Sequence, residues 1–115
     1  MITLKVDEAY AFDYLSILEV KKNLFPSKSK IDSFEECKDF LKKQLLNFDN
    51  IYNSQEYKNL YSINKETFEL VDLVRNNNQK VSAKQVDDAN MERFYKKESL
   101  QKTFFSSNLV EEKIT

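Results

Sequence analysis

The chain has 115 residues, 41% of them hydrophobic and 32% charged, which is the size of one domain spanning residues 1–115 with enough apolar side chains for a single core. Its 18 Lys and Arg nearly cancel its 19 Asp and Glu, so net charge supplies no long-range attraction to nucleic acid or to an anionic membrane. The chain contains neither histidine nor glycine; this removes imidazole catalysis, the usual transition-metal ligands, the phosphate-cradling loop and the dinucleotide fingerprint.

Mean hydropathy is -0.64, and no run approaches the roughly 18 consecutive apolar residues that a membrane span requires. Acidic Asp7 and Glu8 arrive before an apolar leader stretch can form, so the expectation is a cytoplasmic protein. The single cysteine, Cys37, cannot close an intramolecular disulfide, and without histidine it does not belong to an ordinary structural zinc site.

Ile2, Leu4 and Val6 alternate with Thr3 and Lys5, the period of a half-buried strand. Its available partners are the tail around Leu109, Val110 and Ile114 or the same segment of a second copy. A first helix is expected from Asp7 to Asn23, with Asp7 and Glu8 at its positive end and Lys21 and Lys22 at its negative end. Tyr10, Tyr14, Ile17 and Leu18, widened by Ala11, Phe12 and Leu15, give it an apolar face. Pro26 and Ser27-Lys28-Ser29-Lys30 interrupt the pattern and predict a loop.

Ser33 and Glu36 have capping-box spacing, which predicts a second helix from about residue 33 to Asp49 bearing Phe34, Cys37, Leu41, Leu45 and Phe48. Ser54 is placed to cap a helix carrying Tyr57, Leu60 and Tyr61. Asn64 is placed to cap another carrying Phe68, Val71 and Val74, and the two either stay separate or fuse into one kinked helix. Asn76-Asn77-Asn78 reads as a helix stop, since asparagine tolerates the left-handed conformation that glycine otherwise supplies. A last helix starts at a second capping box, Ser82 with Gln85, stapled by Val81 onto Val86, and runs toward Phe105 with a thin apolar stripe of Val86, Ala89, Phe94, Leu100 and Phe104. The expected fold is therefore an all-α bundle of four or five helices with a short N-terminal extended segment.

Three constellations carry candidate chemistry. Glu36 and Asp39, with Glu35 adjacent, and Glu69 and Asp72 each place two carboxylates on one helix face, and four such groups converging between helices would hold Mg²⁺. Arg93-Phe94-Tyr95-Lys96-Lys97 with Lys102 interleaves cations and aromatics as nucleic-acid binders do, but Glu92 and Glu98 flank it, and strong nucleic-acid binding is not expected. The aromatic load, nine Phe and six Tyr, exceeds what a small helical core needs and suits a protein interface. Tyr10, Tyr14, Tyr57 and Tyr61 read as one stack, in a core or at that interface.

Glu35-Glu36-Cys37-Lys38-Asp39 and Glu69-Leu70-Val71-Asp72 resemble the paired acidic motifs of all-helical nucleoside triphosphate pyrophosphohydrolases of the MazG type, which implies a Mg²⁺-dependent hydrolase. The first motif departs from that family's pattern by ending in aspartate, and the spacing between the motifs is long. Tyr57-Lys58-Asn59-Leu60-Tyr61, Phe68-Glu69-Leu70-Val71-Asp72 and Ser99-Leu100-Gln101-Lys102-Thr103-Phe104-Phe105 resemble segments of small uncharacterised proteins of T-even-like marine phages. That resemblance implies an accessory protein made in an infected bacterium and supplies no activity. The function expected from the sequence is a small accessory protein acting by protein-protein interaction, without cofactor or metal, as a homodimer; the hydrolase built on Glu36, Asp39, Glu69 and Asp72 is the alternative. The homodimer is expected because the segment Ile2 to Val6 lacks an obvious strand partner and the last helix carries so thin a stripe. Asn90, set among apolar neighbours, would then fix the register of that interface.

Overall fold

The computed structural model describes residues 1–2, 5–76 and 82–105. These form five α-helices, α1 Glu8–Leu24, α2 Lys28–Gln44, α3 Phe48–Tyr52, α4 Gln55–Arg75 and α5 Ala83–Phe104, the all-α bundle expected. Among the described residues there is no strand, and no helix is long and apolar enough to cross a membrane. Thr3 and Leu4, Asn77 and Asn78, Val81, and the tail around Leu109, Val110 and Ile114 lie outside the described residues. The strand pairing and the staple fall there, as does most of the asparagine stop.

Helix α1 is the common neighbour of α2, α4 and α5, while α4 and α5 pack along each other and the short α3 bridges α2 and α4. The core gathers Phe12 and Leu15 of α1, Phe34 and Leu41 of α2, Phe48 and Ile51 of α3, Tyr57, Leu60 and Ile63 of α4, and Ala89 and Leu100 of α5. At its centre the Phe12 ring stacks on Phe48 at 5.8 Å and meets Tyr57 edge-on at 6.3 Å. Each such fully buried aromatic contributes roughly 1.5–3 kcal/mol from removal of apolar surface from water.

Two boundaries differ from the sequence expectation. The loop around Pro26 is short, because the proline holds Phe25 out of the helical region and Ser27 then caps α2 at once, its hydroxyl accepting from the Lys30 amide at 3.2 Å. Ser33 therefore lies inside α2 and does not cap it. Lys28 and Lys30 sit badly at a helix's positive end and mimic a loop, but Lys30 Nζ donates to the Phe25 carbonyl at 2.9 Å, across the corner. At the other end α2 stops at Gln44, Leu45 turns extended, and the chain re-enters a helix at Phe48. That break leaves Leu46 exposed but brings Phe48 and Ile51 into the core.

Helix α4 is continuous from Gln55 to Arg75. Ser54 is hydrogen-bonded to the Tyr57 amide at its start, as expected, whereas Asn64 caps nothing and points its amide across to α1. The capping box of α5 is present in full, with Ser82 Oγ accepting from the Gln85 amide and Gln85 Oε1 accepting from the Ser82 amide.

Candidate functional site

A polar hub joins helices α1, α4 and α5. Asp13 and Ser16, three residues apart, occupy the inward face of α1 in the midst of Phe12 and Leu15, and both are buried. Asp13 Oδ1 accepts from Asn64 Nδ2 of α4 at 2.8 Å, and the same nitrogen donates to Ser16 Oγ. From α5, Arg93 Nη2 donates to both Asp13 oxygens at 3.0 and 3.3 Å, and Lys97 Nζ lies 3.7 Å from Oδ2. The thin apolar stripe of α5 is thus completed by polar side chains with partners; Gln101 likewise accepts from the Ala9 amide at 2.8 Å.

Two atoms of this hub are buried without a partner, Oδ1 of Asn64 and Nε of Arg93. Leaving such a group unsatisfied costs about 1–3 kcal/mol each. Both residues line a groove of about 300 Å³ between α1 and α4, at the small end of the range for small-molecule sites. Ile17 and Val20 of α1 and Phe68 and Val71 of α4 form its apolar walls, and Lys21, Asp72 and Arg75 stand at its charged side. Arg75 and Arg93 are the two arginines of the chain, and both meet here although 18 residues separate them in sequence.

The sequence-predicted carboxylates are arranged differently. Glu35, Glu36 and Asp39 are exposed on α2, Glu69 and Asp72 are exposed on α4, and those two helices share α1 and the short α3 as neighbours. Among the described residues, no three His, Cys, Asp or Glu side chains gather in a group able to hold a metal. The basic segment of α5 is partly neutralised from within, since Arg93 and Lys97 face Asp13 and Lys102 pairs with Glu98 at 3.1 Å. Asn90 is exposed, and Cys37 is half-buried, its thiol pushed up by burial and so poorly reactive.

The tyrosines divide instead of forming one stack. Tyr10 and Tyr14 are exposed, Tyr57 is buried and Tyr61 is half-buried. On the side of α4 toward α3, the hydroxyls of Tyr52 and Tyr57 each donate to one oxygen of Glu19 at 2.8 Å, and Asn23 Nδ2 donates to Tyr61 Oη at 2.9 Å. Burial first, and the Glu19 carboxylate next, push both Tyr52 and Tyr57 well above the ordinary phenol value.

Sequence reasoning missed Asp13, Asn64 and Glu19. A signal was available for two of them: Asp13 interrupts an apolar face, and Asn64 shares the inward side of α4 with Leu60, Ile63 and Thr67. A polar residue on a buried stripe needs a partner. No protein-family model, curated protein or solved structure matches the chain, so its function is argued from its own geometry.

Proposed function

We propose that this chain is a small accessory protein that acts by binding and not by catalysis, and that the groove between α1 and α4 is where it binds. One observation carries the reading: a concave, apolar-walled site gathers both arginines of the chain beside Lys21 and the buried Asn64. Such convergence of a few polar groups in an apolar pocket is the usual form of a ligand site. The scattering of Glu36, Asp39 and Glu69 over separate exposed faces favours binding over a carboxylate-built hydrolase. The internal pairing of Arg93 and Lys97 with Asp13 argues against strong binding to nucleic acid. The three segments that resemble proteins of T-even-like marine phages support a role in the cytoplasm of an infected bacterium.

The test is native mass spectrometry of the protein equilibrated with the low-molecular-weight fraction of a bacterial extract. A discrete mass increment that Arg75→Gln abolishes is expected. No increment, together with Mg²⁺-dependent release of pyrophosphate from a nucleoside triphosphate, would restore the hydrolase.

A second reading, association with another protein or with a second copy, is favoured by the exposed Tyr14, Met91 and Tyr95, which are 58%, 55% and 58% accessible. Aromatic and methionine side chains left in water at this level are typical of interface residues.

A further inference from the structure

We infer that two copies of this chain pair antiparallel along the outer face of α5, about a two-fold axis at Tyr95, an inference that rests on the chain associating with a second copy. Helix α5 turns Ala89, Leu100 and Gln101 into the core and Arg93 and Lys97 onto Asp13. On another face, Asp88, Met91, Tyr95, Ser99 and Lys102 recur every three or four residues, and all five are exposed. Met91 and Tyr95, both more than half exposed, form the apolar centre of that face. Phe94 meets the Tyr95 ring edge-on at 5.8 Å, which limits the freedom the ring loses when it is covered.

The charges around that centre are self-complementary. Asp88 stands seven residues before Tyr95 and Lys102 seven residues after it, so acid, aromatic and base follow one another at two-turn intervals along one stripe. Arg93 and Lys97 are directed at Asp13. Of the other charged side chains of α5, Lys84 faces three carboxylates, Asp87, Asp88 and Glu92, before Tyr95, whereas Lys96 and Lys102 face only Glu98 after it. The first half of the face is therefore acidic and the second basic.

A two-fold axis turns that asymmetry into attraction. Reversing the helix onto its own copy lays each acidic half on the basic half of the other, and with the axis at Tyr95 the contact of Asp88 with Lys102 is made twice. Parallel pairing sets acid against acid. The antiparallel register also brings Glu92 toward Glu98 of the other copy, but Glu98 is already held by Lys102 at 3.1 Å, and an ammonium with three donors bridges two carboxylates. The apolar centre is only two side chains from each copy, so the dimer is weak and sensitive to salt.

The experiment combines light scattering with charge exchange and site-directed cross-linking. The full chain is expected to show twice its 13.7 kDa mass at high micromolar concentration. Asp88→Lys and, separately, Lys102→Asp are expected to weaken the dimer by about tenfold, and the two together to restore it to within about twofold, because each exchange alone sets like charges opposite at two places. Helical circular dichroism is expected to be unchanged, since both positions are exposed. In a Cys37→Ser background treated with diamide, Tyr95→Cys is expected to cross-link to its own copy, and Lys65→Cys, exposed on α4, is not. If a dimer forms but the charge exchange gives no rescue, or Tyr95→Cys cross-links no faster than Lys65→Cys, this inference fails and pairing through another face stands. If the mass remains that of one chain, both fail.

Discussion

Truncating the hub carboxylate, Asp13→Ala, removes the acceptor for Asn64 and the counter-charge for Arg93 and Lys97 in one step. The side chains of Asp13, Arg93 and Lys97 are 10%, 25% and 19% exposed, so the two cations are left largely out of water with a negative partner gone. Breaking a buried pair from one side costs about 3–5 kcal/mol. The residual hydration of Arg93 and the Tyr10 ring that stays 4.4 Å from Lys97 Nζ place the expected loss at the lower end, about 3 kcal/mol. With a urea dependence of about 1.5 kcal/mol per molar, that lowers the unfolding midpoint by about 2 M. Urea unfolding followed by circular dichroism reads it directly. Removing Arg93 as well, in Asp13→Ala with Arg93→Met, is expected to recover part of the loss, because much of the cost comes from orphaned cations and Lys97 alone then remains without its carboxylate. A loss below about 1 kcal/mol in the single variant, or a double variant no more stable than the single, would refute the reasoning that this hub is a desolvated network.

Three further outcomes follow from other parts of the fold. Ser82→Ala removes one half of the α5 capping box and is expected to cost about 1 kcal/mol in the same assay, with Ser33→Ala nearly neutral because Ser33 lies inside α2. Tyr52 and Tyr57 are held above the phenol value of 10.0, so the unfolded chain loses their protons first: their contribution is whole below pH 10 and declines as pH rises toward the folded values, and alkaline unfolding is expected to be shallower in Tyr57→Phe. Light scattering behind a sizing column is expected to give twice the 13.7 kDa chain mass if the exposed aromatics mate two copies; a mass of one chain at high micromolar concentration refutes the dimer.

The helices were legible wherever local chemistry and packing agree. Ser82 with Gln85 predicted the start of α5 because both side chains act on backbone amides within one turn. The start of α2 was misread because Lys28 and Lys30 oppose the dipole, and only the tertiary burial of Phe34 and Leu41 outweighs that local preference. Asn64 was misread for the same kind of reason. Its capping propensity is a local property, but its amide finds Asp13, 51 residues away. The groove was illegible because it is assembled from α1, α4 and α5, and a sequence shows the spacing of Arg75 and Arg93 but not their convergence. The acidic couplets were conspicuous because they are periodic, and periodicity along one helix carries no information about which faces meet.

With two arginines in the chain, the side-chain Nε–H region of a ¹H–¹⁵N spectrum contains two signals, and Arg75→Gln assigns them. Titrating labelled protein with the low-molecular-weight fraction of a bacterial extract tests the binding groove at the two arginines that line it. Both Nε–H signals are predicted to shift, together with the backbone amides of Ile17, Lys21, Phe68 and Val71, all of which line the groove. An unmoved Arg93 signal, with perturbation confined to Glu36, Asp39 and Glu69 on addition of Mg²⁺, would contradict the groove and return the function to the acidic faces.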